Sequence, residues 1–273
     1  MTYAPVLPMG GYAGWTLLNR TMAKQTASFV KSPEIKRDED YFKANIGKVT
    51  TAEQLVKDRR LLKVALGAFG LDADINNKAF IEKVLKDGTL TVGALSNKLA
   101  DKQYLKFSAA FGFGDFATPR TKLSDFPDQI ITAYRARQFE AAVGNQDGDL
   151  RLALNAQREL GTLATKTGSE QTRWLGILGN SALKQVFIKA LGLPASVGAI
   201  DLDQQLQLFQ DKADQVFGDK SISQFTDPTK VDALIRRFLV RAQVDANTGQ
   251  NGSGAAVLAM LQQTNSFIRS NRS

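Results

Sequence analysis

The side chains that most often carry out chemistry are absent from this sequence or badly spaced for it. There are no cysteines and no histidines among the 273 residues. That removes disulfides, thiol nucleophiles, Cys/His zinc sites and the commonest general base in one step. Carboxylates remain, and two acidic stretches have some of the spacing of a calcium loop. In Asp72-Ala73-Asp74-Ile75-Asn76-Asn77 the first, third and fifth positions offer oxygens, but Asn77 stands where such a loop needs glycine and Lys83 where it needs a bidentate glutamate. In Asn145-Gln146-Asp147-Gly148-Asp149 the sixth position is Leu150 and the twelfth is Ala156. Both stretches read better as turns with N-capping aspartates, so no metal ligand is assigned. Hydrolysis by two carboxylates needs a convergent pair in a cleft. Glu159, set among Leu154, Leu160 and Leu163, is the one carboxylate with conspicuously apolar surroundings. A carboxylate-based cell-wall hydrolase using Glu159 is therefore the enzymatic alternative, although a glutamate on a helix's polar face explains it equally well. The glycines form no phosphate cradle: neither a P-loop nor a G-x-G-x-x-G turn after a strand is present, and Gly112-Phe113-Gly114-Asp115 follows a helix. No catalytic residue and no cofactor is assigned.

Charge narrows the partners without naming one. The formal net charge is +8, which suits an acidic partner, but the basic residues are dispersed. Arg236, Arg237 and Arg241 form the densest local group, and no aromatic residues interleave with them. A solvated helix face accounts for this better than a nucleic-acid surface, so no nucleic acid is expected and an anionic-polymer binder is kept as a further alternative. No apolar run approaches the roughly 18 residues of a membrane span. The first 15 residues also lack the basic, apolar and small-residue zones of a cleaved signal.

The elements that must position any site are helices. Apolar residues recur at a period near 3.6, as at Leu55, Leu62, Leu66 and Phe69, and strand signals are almost absent. Three apolar runs end on a glycine followed at once by an apolar residue: Gly70-Leu71, Gly112-Phe113 and Gly192-Leu193. A glycine in the left-handed conformation stops a helix and lets the next apolar side chain fold back on the last turn, so Gly70, Gly112 and Gly192 are structural caps. The fold expected is an all-α, multi-helix bundle of short glycine-capped helices, arranged as two related helical halves with no significant sheet. Composition places a flexible tail and an amphipathic N-terminal helix in 1–35, the first half in 36–117, a linker in 118–125 and the second half in 126–247. A glycine-rich hinge and a C-terminal helix occupy 248–273. One helix is expected from Thr50 or Thr51 to Phe69, and a charged connector over Glu34 to Asp40. The terminal helices carry large apolar groups, Trp15, Leu18, Met22 and Phe29 in one and Val257, Met260, Leu261 and Phe267 in the other. These eight are the candidate interaction residues: they pack on the body, or they pair with another helix when the protein assembles.

Several motifs occur in a fixed order: Asp40-Tyr41-Phe42-Lys43-Ala44-Asn45-Ile46-Gly47-Lys48-Val49, then Leu61 to Leu71, Asn76-Asn77-Lys78-Ala79-Phe80-Ile81, and Leu99-Ala100-Asp101-Lys102 through to Asp115. This run resembles an uncharacterised bacterial domain-of-unknown-function family, some of whose members are encoded among flagellar genes. The resemblance covers most of the first half and extends more weakly into the second. It implies an all-helical fold and a flagellar connection, and transfers no catalytic residue. The expectation is a non-enzymatic, flagellum-associated structural or assembly protein whose partners are other proteins, flagellar components among them. It would be cytoplasmic, or exported to the flagellum without a cleaved signal peptide, and its oligomeric state is left open.

Overall fold

The computed structural model describes residues 3–250, with side chains through 246. Among the described residues there are thirteen α-helices, five short 3-10 turns and no strand. The helices are α1 (Gly11–Val30), α2 (Pro33–Asn45), α3 (Ala52–Lys57), α4 (Arg59–Phe69), α5 (Lys78–Asp87), α6 (Leu95–Lys98), α7 (Gln103–Phe111), α8 (Phe126–Gly144), α9 (Gly148–Thr165), α10 (Glu170–Leu178), α11 (Ser181–Leu191), α12 (Leu202–Phe217) and α13 (Pro228–Gln250).

Local chemistry sets the helix ends. Asp58, Asp147, Ser169, Asn180 and Asp201 each accept main-chain N–H groups of the turn they open. Such caps satisfy donors that a helix cannot satisfy internally. Asp58 also interrupts the single helix expected up to Phe69. Its extended backbone ends α3, and its carboxylate takes the Arg60 and Leu61 N–H groups at 2.9 and 3.1 Å to start α4. The expected connector over Glu34 to Asp40 lies instead inside α2, which Pro33 opens at a position where no main-chain donor is needed.

At the C-terminal ends, Gly70 and Gly192 adopt φ of 74° and 70°. The Leu71 N–H then donates to Leu66 O at 3.0 Å, and the Leu193 N–H donates to Ile188 O at 2.9 Å. Both leucines are buried, which completes the folded-back contact. Gly112 has the same conformation with a single bond to Ser108 O, and Gly218, which the apolar pattern did not single out, ends α12 in the same way. The Gly192→Ala variant is expected to lose about 1–2 kcal/mol, the cost of a left-handed L-residue, in urea unfolding. Gly148→Ala, where a methyl group meets nothing within 4 Å, is the neutral comparison.

Packing joins these pieces around one continuous core. The two most extensive helix pairings are α4 on α8 and α11 on α13. They repeat one arrangement, a glycine-capped helix lying along a longer helix whose arginine reaches the cap: Arg137 of α8 stands by Gly70 and Arg241 of α13 by Gly192. Thus α8 corresponds to α13 in packing, and the stretch 118–125 is itself tied to the body. Thr121 within that stretch is buried and donates to Val49 O at 2.6 Å, and Lys122 donates to Gly47 O at 2.7 Å. Helix α9 sits centrally, against α1, α8, α10, α11 and α13. Edge-to-face aromatic pairs run through both sides of the core, Phe69 to Phe107 on one and Trp174 to Phe187 to Phe225 on the other.

The expected N-terminal tail is largely built into the body. Pro5 is buried, Val6 exchanges two hydrogen bonds with the Gln25 amide at 2.8 and 3.2 Å, and Gln146 donates to Pro5 O. Helix α1 begins at Gly11, earlier than Trp15. Helix α13 continues through Gln250, past Thr248, where the hinge was expected to start. The expected C-terminal helix lies outside the described residues.

Candidate functional site

Helix α5 ends at Asp87 and its chain turns sharply at Gly88, with φ 68° and ψ −152°, a conformation open essentially only to glycine. Gly114 packs against it so closely that a Cβ there would stand 2.5 Å from Gly88 N. This backbone-on-backbone approach brings Asp115 under the loop that follows. The Asp115 carboxylate accepts Thr89 N at 2.6 Å, Thr89 Oγ1 at 2.8 Å and Leu90 N at 3.1 Å. Burial raises the Asp115 pKa, but those hydrogen bonds and Arg120 outweigh it and hold the group below its ordinary value. From the other flank, buried Ser96 donates to Gly88 O at 2.6 Å, and Asn97 donates to Thr89 O and Thr91 O at 2.9 and 2.8 Å.

The main chain of 88–91 is therefore held from both sides, while the side chains of Leu90 and Val92 face water. Leu90 is 73% exposed and Val92 91%. Phe116, next to Asp115, is exposed as well, with the Arg120 guanidinium 5.2 Å from its ring centroid. Leu90, Val92 and Phe116 are thus large apolar groups left bare beside a hydrogen-bonded main chain. The only sign of this tip in the sequence is two apolar residues alternating with threonines between Gly88 and Gly93.

The carboxylate proposed for catalysis is used differently. Glu159 lies buried between α7, α8 and α9, bonded to Lys106 at 2.9 Å, to Arg137 at 3.0 Å and to Arg158. Arg158 also forks onto buried Glu140 at 2.6 and 3.1 Å. Burial pushes the Glu159 carboxyl up, but the Lys106 and Arg158 charges, the Lys106 hydrogen bond and Arg137 together bring it below its ordinary value. A general acid needs a pKa raised toward neutrality, whereas this group is a fixed anion joining helices. A groove of about 450 Å³ is lined by Asp38, Arg59, Arg60, Lys63 and Asp72 but does not include Glu159. Its own charged groups are engaged: Lys63 binds Asp38 at 2.7 Å, Tyr134 donates to Asp38 at 3.2 Å, Gln138 donates to Asp72 and Arg59 to Asn76.

The remaining candidates are scattered. Trp15, Leu18 and Phe29 are buried against the body, so a partner helix cannot reach them in this fold; Met22 is half-buried against the same core. Apolar spacing alone could not tell this docking from an exposed stripe. Val257, Met260, Leu261 and Phe267 lie outside the described residues. Arg237 donates to Ala190 O and Arg241 lies over Gly192, both at the α11–α13 contact, while Arg236 sits over the Tyr12 ring. The three arginines therefore present no common face. Of the two acidic stretches, Asp72 and Asp74 accept from Gln138 and Tyr104, and Asp147 caps α9. No group of three or more acidic residues with metal-site geometry occurs among the described residues. No helix among them is long and apolar enough to cross a membrane.

Comparison with known proteins fits this picture. A protein of Agrobacterium tumefaciens solved by X-ray crystallography in a structural genomics programme is similar in structure, with a TM-score of 0.72 and 26% identity, over 89% of this chain and 99% of that one. No curated protein matches the chain. A family described as "Protein of unknown function (DUF1217)" matches residues 68–231, which include the loop, Asp115, Glu159 and helices α5 through α12. That match spans more than half of the sequence, and the chain belongs to the DUF1217 family.

Proposed function

We propose that this protein is a non-enzymatic, flagellum-associated structural or assembly protein that works by contact with other proteins, and that the tip formed by Leu90, Val92 and Phe116 is its contact surface. The observation carrying the contact reading is the pairing of a main chain hydrogen-bonded at Thr89, Leu90 and Thr91 with exposed leucine and valine side chains. Small rigid apolar anchors of this kind are what partner surfaces bury at the centre of an interface. The flagellar part of the proposal draws its support from the ordered motifs over residues 40–115. It carries with it location in the cytoplasm, or at the flagellum after export without signal cleavage. The carboxylate-hydrolase alternative loses ground because Glu159 is occupied by three cations.

Affinity capture from motile cells tests the proposal. The full chain should retain flagellar components, and the Leu90→Asp, Val92→Asp double variant should retain at least tenfold less. Because both side chains are exposed, the double variant should keep its unfolding free energy to within about 0.5 kcal/mol. Equal capture by both proteins, or full motility in cells carrying only the double variant, would exclude the tip as the working surface.

A further inference from the structure

The groove of about 450 Å³ beside α4 holds two positive charges that no carboxylate among the described residues pairs. Positions 59, 60 and 63 fall on one face of α4, so Arg59, Arg60 and Lys63 form one wall. Asp38 of α2, with Asp72 and Ile75 of the turn at 72–76, completes the lining. Lys63 is spent on Asp38 and Glu34, at 2.7 and 3.3 Å. The two arginines are held differently. Arg59 donates to the Asn76 amide oxygen at 3.0 Å. Arg60 donates to the main-chain carbonyl of Arg37 at 3.1 Å, and its guanidinium lies 3.9 Å from the centroid of the Tyr41 ring. All of these partners are neutral. Each guanidinium spends one nitrogen of its fork and keeps its other donors, so its position is fixed while its charge is left over. Both arginines are exposed, and an occupant reaches them directly from solvent.

We infer that this groove binds an acidic segment of a partner protein, with side-chain carboxylates on Arg59 and Arg60 and an aliphatic side chain against Ile75. Guanidinium forks match carboxylates two bonds at a time. Half-buried Ile75, together with the methylene stems of the arginines, offers an apolar surface that a free small anion would leave uncovered. Asp72 fixes which way the segment lies. One of its oxygens is taken by Gln138 at 2.7 Å; the carboxylate repels acidic side chains and accepts N–H donors, so the acidic groups go to the α4 wall. No aromatic ring lines the groove among the described residues to stack a base, which sets nucleic acid aside. The net charge of +8 draws an acidic partner toward the molecule from a distance. Leu90, Val92 and Phe116 do not line the groove, so it is a second surface, separate from the tip.

Fluorescence anisotropy on the full chain tests this with a labelled short peptide of glutamate, serine and leucine, beside the same peptide with glutamine for glutamate. The wild type should bind the acidic peptide, and the glutamine version should bind at least about tenfold more weakly, having lost its charge-assisted hydrogen bonds. The Arg59→Gln, Arg60→Gln double variant should lose as much. Lys166→Gln with Lys220→Gln removes the same charge from exposed residues outside the groove, and should cost less than about twofold because exposed charges are screened. In an isotope-labelled wild-type sample the Ile75 methyl signals should shift as the acidic peptide is added, a readout that needs no variant to fold. Absence of saturable binding, equal losses in the two double variants, or Ile75 signals that stay in place would overturn the assignment. Inorganic phosphate that displaces the peptide at concentrations below the peptide's own Kd would overturn it too, by giving the groove to a small anion. None of these results bears on the tip, which is tested by capture with the Leu90 and Val92 variant.

Discussion

Replacing Glu159 by glutamine should lower the unfolding free energy by about 3 kcal/mol, because removing one member of a buried ion cluster strands the charges that it balanced. Arg137 and Arg158 are mostly withdrawn from water, at 14% and 29% side-chain exposure, while Lys106, at 51%, contributes less. Acid titration gives the effect a second signature. The folded-state pKa of Glu159 lies below its ordinary 4.5, so the wild type enjoys the full stabilisation above that value and loses it as pH falls through the lower folded value. The wild type and Glu159→Gln should therefore differ most near neutrality and converge on the acid side. Urea unfolding at a series of pH values measures both features. If Glu159 were instead a catalytic acid, the variant would keep its stability and lose a turnover, so an unchanged unfolding midpoint at neutral pH would refute the structural role.

Gly114→Ala should cost about 3 kcal/mol, since an added methyl group meets Lys86 O and the Gly88 main chain, neither of which can rotate away. The expected damage is specific. Pushing Gly114 from Gly88 pulls Asp115 off Thr89 and Leu90, so the amide protons of those two residues should exchange much faster and partner capture should fall with them. Gly93→Ala, in the same loop but with open space around the new methyl group, should leave stability and exchange alone. Amide exchange that is the same in both variants would show that the Gly88–Gly114 contact does not hold the loop.

What could be read from the sequence was what neighbours in the chain decide. The caps at Gly70, Gly112 and Gly192 each depend on a few adjacent residues. Features that depend on distant pairing could not be read. Glu159 looked like an isolated acid because Lys106 lies 53 residues away, and the bidentate Arg135–Glu39 bridge joins residues 96 apart. The tail looked loose because Pro and Gly dominate its composition, whereas what holds it is the Gln25 and Gln146 amides. Trp15, Leu18 and Phe29 have the spacing of a docking helix whichever surface covers them, and here the covering surface belongs to the same molecule. The exposed tip was missed for the opposite reason: Leu90 and Val92 are too few to form a periodic pattern.

The clamped main chain of residues 88–91 also bears on the thermodynamics and speed of association. Ordering a mobile backbone costs about 1–2 kcal/mol per residue, and a loop that became ordered only on contact would subtract that sum from its affinity. Here folding has already met it. Binding through Leu90 and Val92 should therefore release their hydration water with little opposing conformational loss, giving a negative heat-capacity change without the large unfavourable entropy of coupled folding. Its rate should be limited by diffusion and orientation, with no folding step to slow it.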